Sequence, residues 1–256
     1  MKSFLPTFIS GLFLTLFSLS VAAQVNQTDA KGKKQGPWRK SYPNSSVLVY
    51  EGTFKDDRPV GTFTYYFESG AKKAIIEHGL KGGKSAVLLF FENGQLLSDG
   101  FYHLEKKDSL WYNYAPSGEL ISAENYKNDL LHGKAVYYYK EGQVLEHKLQ
   151  VERKVNYQAG KLHGVYQAYF YNGKLKQEGT FEKGLKQGIW TEYNSAGQKV
   201  ATMKYDKDLL HGWLYTFNKD GSLLSKVLYL DGVALSEKDT KAYLERCKAL
   251  NIAPVQ

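Results

Sequence analysis

The stretch that decides the fold is residues 160–175, which read GKLHGVYQAYFYNGKL. Within it, Gly164 is followed two residues later by Tyr166, five residues later by Tyr169 and nine residues later by Gly173. The same series of glycine, aromatic, aromatic and glycine recurs about every 24 residues on both sides of this stretch. A fixed period of about 20 to 50 residues is typical of repeat proteins, in which each unit packs on its neighbours. The sequence therefore predicts an array of short units.

The first glycine of the series, here called the anchor, defines eight units. Consecutive anchors are 25, 24, 24, 24, 31, 24 and 24 residues apart, and seven of the eight positions nine residues after an anchor are glycine. The extra residues of the 31-residue spacing are predicted to fall between His147 and Val155, as a longer strand or a loop. The anchors are Gly36, Gly61, Ser85, Ser109, Gly133, Gly164, Gly188 and Gly212.

Each unit is predicted to be a β-hairpin, because aromatic residues suit pleated surfaces and glycine accepts the positive φ of tight turns. Pairs such as Asn93-Gly94 mark such turns, and the anchors are expected to mark the turns between hairpins. A single hairpin is marginally stable in water, so the units must stack side by side. The predicted fold is all-β, an elongated array of about eight hairpins in a single twisted antiparallel sheet.

The two ends of the chain differ from the array. Residues 1–23 combine a basic start, an apolar run and a small-residue end at Ala23, which is typical of a cleaved signal peptide; an uncleaved membrane anchor is the alternative. Residues 24–30 are predicted to be a flexible lead-in, residues 31–232 the repeat domain and residues 233–256 a short capping helix and tail. Cleavage implies an exported protein, periplasmic, secreted or associated with the cell envelope.

The composition is globular and basic. Of the 256 residues 43% are hydrophobic, and 34 basic against 26 acidic side chains give a formal net charge of +8. The single Cys247 excludes an intrachain disulfide and a zinc site built on cysteine pairs. Basic doublets such as Lys72-Lys73 allow contact with anionic lipid or glycan surfaces, whereas nucleic acid is not expected for an exported protein.

The segment 160–175 closely resembles the bacterial variant of the MORN repeat, and the resemblance extends over residues ~30–232. The resemblance implies MORN-type β-hairpin repeats, often exported, and some relatives of the YwqK-like group are called antitoxins. Eukaryotic MORN proteins are linked to membrane tethering, phosphoinositide contact and protein assembly. The chain departs from the pattern at Ser85 and Ser109, which replace anchor glycines, and at Ala135, which replaces the first aromatic.

Motifs for catalysis or cofactor binding are weak. The segment 79–85, GLKGGKS, resembles a phosphate-binding loop, but its spacing is short by one residue and a strand is predicted after it. His132, His163 and His211 share one repeat position, which suits either a turn or a shared metal. The turn is favoured because the same position holds Gln, Val, Lys or Asp in the other units, so it requires a turn-compatible side chain and not a ligand. No catalytic, cofactor-binding or metal-binding residue is predicted. Clustering of His103, Asp108 and Ser109 around a pocket would revive an enzymatic function.

The preferred hypothesis is a non-enzymatic scaffold that binds an unknown partner protein at the cell envelope. The alternatives are binding to anionic lipid or glycan surfaces, and immunity against a co-encoded toxin. The aromatic rows favour packing within the sheet, and their exposed members are the candidate contacts. The candidate partner-binding residues are Trp38, Tyr66, Trp111, Tyr138, Tyr169, Trp190 and Tyr193.

Overall fold

The computed structural model describes residues 24–80, 82–140 and 149–255. These residues form one open antiparallel sheet of 20 strands, some of them only two residues long, and one C-terminal helix, with 61% of the described residues in strands. The predicted all-β hairpin array with a terminal helix is confirmed. The predicted signal peptide at residues 1–23 and the region around Gly142 and His147 lie outside the described residues.

Along the described residues, the 20 strands come first and the helix follows them. Their bounds are β1 Gln27–Thr28, β2 Lys34–Ser41, β3 Leu48–Lys55, β4 Arg58–Tyr66, β5 Lys72–Leu80, β6 Lys84–Phe90, β7 Leu96–His103, β8 Lys106–Tyr114, β9 Leu120–Lys127, β10 Leu130–Tyr138, β11 Val151–Gln158, β12 Lys161–Leu162, β13 Gly164–Tyr169, β14 Leu175–Glu182, β15 Leu185–Tyr193, β16 Lys199–Asp206, β17 Leu209–Leu210, β18 Gly212–Phe217, β19 Leu223–Leu230, β20 Val233–Ala234 and α1 Glu237–Ala249.

The sheet is a meander in which each strand pairs antiparallel with its chain neighbour. Two strand positions are interrupted, so that β11 pairs with both β12 and β13, and β16 pairs with both β17 and β18. Pairing continues from β10 to β11, with Ala135 opposite Val155. The strands therefore contact only their immediate neighbours, as in other repeat arrays.

Two kinds of turn alternate along the ribbon. The glycine nine residues after the anchor closes a three-residue loop: Gly70 has φ +85°, and the Phe67 amide donates to the Ala71 carbonyl at 2.8 Å. The next turn has two residues, both with positive φ, as at Asp56 (+53°) and Asp57 (+67°), which is the type I′ geometry. Asp and Asn tolerate this left-handed region better than most non-glycine residues.

The prediction that anchors mark the turns between hairpins is wrong. Gly61, with φ +63°, lies inside β4 rather than in a turn. The register of β3 against β4 shifts between Glu51 and Thr53, opposite this glycine. The anchor is therefore a β-bulge, and Ser109 adopts the same left-handed backbone at φ +63° without being glycine.

One row of residues runs across the whole sheet on one face, here called the packed face, and forms its core. This row, here called the spine, holds the residue two positions after each anchor and its partner on the following strand, as where Val87 lies opposite Gly100. Three glycines of this row, Gly52, Gly100 and Gly179, each lie under an aromatic ring of the next strand. A β-carbon added to Gly179 would stand 2.2 Å from the Trp190 ring, and one added to Gly100 would stand 2.4 Å from Trp111. The tryptophans therefore lie flat on glycine backbone.

The two edges of the sheet are finished differently. Residues 24–30, predicted to be flexible, instead cover the outer side of β2: β1 pairs with it, and the Asn26 amide donates to the Pro37 carbonyl at 2.9 Å. At the other end β20 pairs with only two residues of β19. The predicted helix then begins after Ser236, whose side chain accepts a hydrogen bond from the Asp239 amide. Cys247 is the buried residue of this helix.

Candidate interaction surface

The predicted contact residues divide between the two faces of the sheet. Trp38, Trp111 and Trp190 belong to the packed face, where Trp111 and Trp190 have 0% of their surface exposed. Neither of these two rings is available to a partner, because each is enclosed between backbone glycine and neighbouring side chains. The candidate contacts on the other face, here called the exposed face, are half-buried: they are Tyr66, Tyr138, Tyr169 and Tyr193.

A lysine lies over each tryptophan of the spine. The Nζ of Lys107 is 4.3 Å from the ring centroid of Trp111 and 4.9 Å from that of Tyr126. Lys186 repeats this arrangement over Trp190 at 4.4 Å. These are cation–π contacts, and they help to exclude water from the tryptophans.

The lysine contacts have a clear sequence signature that the sequence analysis missed. Lysine stands two residues before the anchor in the three units with a tryptophan two residues after it, and nowhere else in the array. The five other units carry proline, glycine or leucine at that position. They are Pro59, Gly83, Leu131, Leu162 and Leu210.

The spine contains one charged residue, Glu124, which lies directly opposite Trp111 and Ala135. Its carboxylate accepts a hydrogen bond from the Tyr126 hydroxyl at 2.7 Å and from the Asn113 amide at 3.1 Å. Asn113 also donates to Ser122 at 2.9 Å. The carboxylate is therefore held by a network of hydrogen bonds from neighbouring polar side chains.

The network shifts the ionisation of the groups around it. Burial and the hydrogen bond to Glu124 raise the pKa of Tyr126 far above its ordinary value. Burial, the hydrogen bond with Tyr157 and the charge of Glu124 raise the pKa of Tyr137 as strongly. Burial lowers the pKa of Lys107, an effect that the charge of Glu124 opposes. The phenols in this region stay protonated well above neutral pH.

On the exposed face, tyrosine hydroxyls five residues after the anchors are fixed by acceptors on the same face. Tyr66 donates to Glu51 at 2.7 Å and Tyr193 donates to Glu178 at 2.8 Å. Tyr114 makes the equivalent bond to Asp99 at 3.0 Å; burial and this bond raise its pKa to about 12. Tyr169 donates to Gln167 at 3.0 Å. These rings are held in one orientation before any partner arrives.

Apolar side chains stand uncovered between these tyrosines. Ile189 is 65% exposed and Val165 is 56% exposed, and both occupy the position one residue after an anchor.

In the last unit that position is Trp213, which lies opposite Leu228. Leu228 is fully buried and lines a depression together with Leu244 of α1. The helix thus shows that apolar side chains can pack on this face. Other apolar strand residues of this face that are at least 36% exposed include Leu88, Phe101 and Leu224.

Asp108 and Ser109 come together, but not as a nucleophile and its base. The Ser109 hydroxyl donates to Asp108 at 2.8 Å and accepts from Lys84 at 2.7 Å, while Lys84 and Asp108 form an ion pair at 3.0 Å. The serine proton therefore points at the carboxylate, whereas base activation would require it to point at His103. The hydrogen bonds from Ser109 and Lys84 lower the pKa of Asp108.

The histidines of the shared repeat position lie beside turns. His211 Nδ1 is 2.9 Å from Asp231 and accepts from its amide at 3.3 Å, and His132 Nδ1 accepts from the Ala159 amide at 3.5 Å. Within residues 24–80, 82–140 and 149–255, no three His, Cys, Asp or Glu side chains are grouped so that they could hold a metal ion. In the same residues no helix is both long and apolar enough to cross a membrane.

The comparison with protein families identifies the repeat. The family described as "MORN repeat variant" matches residues 107–128 and 162–183. Among curated proteins no match was found. The crystal structure of TcdB2-TccC3-Cdc42 contains a chain 14% identical to this one, with 71% of this chain covered. This chain spans 14% of that one, and a TM-score of 0.16 is too low to carry any argument. The chain thus contains MORN-type repeats, which are generally non-enzymatic elements that bind proteins or membranes.

Proposed function

We propose that the protein is an exported, non-enzymatic scaffold that holds a partner protein on its exposed face. The observation that carries this proposal is the row of uncovered apolar side chains at Val165 and Ile189, next to the position where α1 already covers the same face. Exposed apolar side chains on the same face of a sheet supply the apolar contact area that interaction sites use. Export rests on the signal-like residues 1–23 alone.

The tyrosines support the same surface. Tyr169 and Tyr193 flank the apolar row, and each has its hydroxyl already hydrogen-bonded within the sheet. Tyrosine is enriched at protein interfaces because its ring gives contact area while its hydroxyl remains polar. A ring held in place before binding loses less conformational entropy when a partner packs on it.

The test is capture of a partner from cell-envelope extract by the purified full chain. We expect one protein to be retained at high salt by the wild type and lost with Val165→Asp/Ile189→Asp. The matched control is Glu124→Gln on the packed face, which should retain the partner. Equal capture by the exposed-face variant would contradict this surface, and equal loss in both variants would point to a defect of folding.

Binding to anionic lipid or glycan surfaces is the second candidate. It is supported by the formal net charge of +8 and by Lys72-Lys73, both of which are exposed at the start of β5. Such binding would weaken steeply as salt rises, because it is mainly electrostatic. Retention on vesicles containing phosphatidylserine at low salt, with loss at high salt and in Lys72→Ser/Lys73→Ser, would favour it. An antitoxin function would be one case of the first candidate.

A further inference from the structure

The C-terminal edge of the sheet is an unfinished repeat unit. Ser236 stands 24 residues after Gly212, at the position where a ninth anchor would lie. The turn before it is normal, with Asp231 at φ +47° and Gly232 at φ +85°. β20 then begins the next strand, and the Leu235 amide donates to the Leu228 carbonyl at 2.8 Å.

The equivalent atoms in the preceding unit show what is missing. There the His211 amide donates to the Lys204 carbonyl at 2.9 Å, and the chain continues through an anchor bulge into β18. β18 pairs with the upstream half of β16, with Thr202 opposite Tyr215. One unit later, Lys226 takes the place of Thr202, and the residue that should face it is Asp239, which is in α1.

The upstream half of β19 is therefore left with one free side. It pairs with β18 through residues such as Ser225 and Val227, whereas β20 reaches only Tyr229 and Leu230. Backbone groups alternate in direction along a strand, so the amide and carbonyl of Lys226 point the same way as the Leu228 carbonyl, away from β18. Within the described part of the chain nothing hydrogen-bonds to the backbone of Lys226 on that side.

A groove runs along this free side. It has a volume of about 800 Å³, and its walls are the consecutive residues 223–228 of β19 and one side of α1. Leu224, which is 64% exposed, and Leu244 give it an apolar lining, while Lys241 and Glu245 are charged residues along α1. Free strand edges are the usual sites at which an extended peptide adds to a sheet.

We propose that this groove binds an extended peptide segment of a partner protein, which adds to β19 as an antiparallel strand. Its backbone would pair with Lys226 and its neighbours, in the register that β18 uses against β16. Alternate side chains would then face Leu224 and Leu244, so the segment should carry apolar residues at every second position. Because α1 forms the far wall, the groove has room for one strand and not for the sheet of a second copy. The groove includes exposed-face residues beside α1, such as Leu224, but neither Val165 nor Ile189.

The probe is a fluorescein-labelled synthetic peptide of residues 185–194, LKQGIWTEYN, which is β15 and natively pairs with the equivalent edge of β14. The test variant is Lys226→Pro, which removes the outward amide. Proline is tolerated on an edge strand where the amide faces outward, so the sheet should keep its fold. The matched control, Lys226→Thr, loses the same lysine side chain but keeps the amide.

We expect saturable binding by the full-length wild type and by Lys226→Thr, with at least about a tenfold weaker affinity for Lys226→Pro. In the wild type, hydrogen exchange at the Lys226 amide should slow when peptide is added. Unchanged exchange in the remaining strands of Lys226→Pro would show that it folds.

Three results would overturn the proposal. The first is equal affinity of Lys226→Pro and Lys226→Thr, and the second is no binding to the wild type at peptide concentrations up to about 1 mM. The third is a dimer of the wild type in sedimentation that Lys226→Pro abolishes, because the edge would then be occupied by a second copy. Val165→Asp/Ile189→Asp should leave peptide binding unchanged, which would separate the groove from the proposed partner surface at Val165 and Ile189.

Discussion

The central and the C-terminal tryptophan units have the same plan and differ in one spine residue. Trp111 lies under Lys107 and faces Glu124, whereas Trp190 lies under Lys186 and faces Met203. Both indoles have no exposed surface. The comparison shows that this sheet accepts either a carboxylate or a thioether beside a buried tryptophan.

The neighbours of that spine residue differ accordingly. Around Glu124 stand Asn113, which donates an amide hydrogen, and Ser122. The equivalent positions around Met203 are Glu192 and Ala201, which offer no such donor. A buried carboxylate costs little only when enough donors surround it, so the whole group of residues has to change together.

The largest expected effect is the loss of a tryptophan. Trp111→Ala and Trp190→Ala should each lower the free energy of unfolding by ~3–5 kcal/mol, because a large buried ring is removed from a packed site. Urea unfolding of each variant measures this loss. A much smaller loss at Trp111 than at Trp190 would mean that the polar network around Glu124 collapses to fill the space, and the two units would then not be equivalent.

The next effect comes from filling the space under the rings. Gly100→Ala and Gly179→Ala should each cost up to about 3 kcal/mol, because the new methyl group would meet the indole and force it outward. Thr180→Ala, next to Gly179 but on the exposed face, is the control and should change stability little. Near-neutral glycine variants would show that the tryptophans do not lie on the backbone as described.

Exchanging the spine residues tests the comparison directly. Met203→Glu should destabilise the protein by about 2 kcal/mol, since the new carboxylate meets Glu192 and lacks the amide donor that Asn113 gives to Glu124. Glu124→Met should destabilise the protein less, by about 1 kcal/mol, because a half-buried charge is removed while Tyr126 and Asn113 lose their acceptor. Adding Glu192→Asn and Ala201→Ser to Met203→Glu should recover part of the loss. No recovery would refute the role given to these neighbours.

The two units should also differ in alkaline stability. Burial raises the pKa of Tyr126 and of Tyr205, and Glu124 raises that of Tyr126 further. Above pH ~10 the unfolded phenols ionise first, so folded stability is full below that pH and falls as pH rises. Tyr126→Phe should therefore flatten the fall between about pH 10 and 12 more than Tyr205→Phe does.

Urea midpoints measured across this pH range give the two slopes. Burial lowers the pKa of Lys107, which makes stability rise with pH and so opposes the tyrosine effect. Both phenylalanine variants are therefore compared in a background carrying Lys107→Met and Lys186→Met. Identical slopes for the two variants would show that Glu124 does not influence Tyr126.

The smallest expected effect on stability comes from removing a lysine that lies over a tryptophan ring. Lys186→Met should cost ~0.5–1 kcal/mol, the usual size of a cation–π contact near the surface. Lys107→Met should cost more at low salt, because Glu124 then keeps its charge with one cation fewer nearby, and the two costs should converge as salt rises. Equal costs at every salt concentration would contradict an electrostatic link between Lys107 and Glu124.

The period of the sequence was enough to predict the fold, because glycine and aromatic residues recur at positions with fixed backbone demands. The anchor was misplaced for a physical reason: positive φ occurs at a bulge as well as in a turn, and glycine serves both. Gly61 is such a bulge, while the nearby turn is made by Asp56-Asp57, which carries no glycine. The turn signal was there in two residues that tolerate left-handed backbone.

The faces were harder to predict. Gly179 and Trp190 are 11 residues apart, as are Gly100 and Trp111, and this spacing signals that ring and glycine stack across strands. Reading each unit alone hides it, because the two residues belong to different units. The sequence therefore predicts Trp111 and Trp190 as possible contacts, although both are fully buried. The exposure of Ile189 could not be predicted, because it depends on how far α1 extends over the exposed face of the sheet.

The strict pairing of each strand with its chain neighbour has a consequence for folding speed. Sheet proteins usually fold slowly because their strands must find partners far away in the sequence. Here the facing residues are close in sequence, as Gly36 and Phe54 are, so the relative contact order is low for an all-β chain. We expect folding to start at any hairpin and to spread in both directions, at rates closer to those of helical bundles than of β-sandwiches.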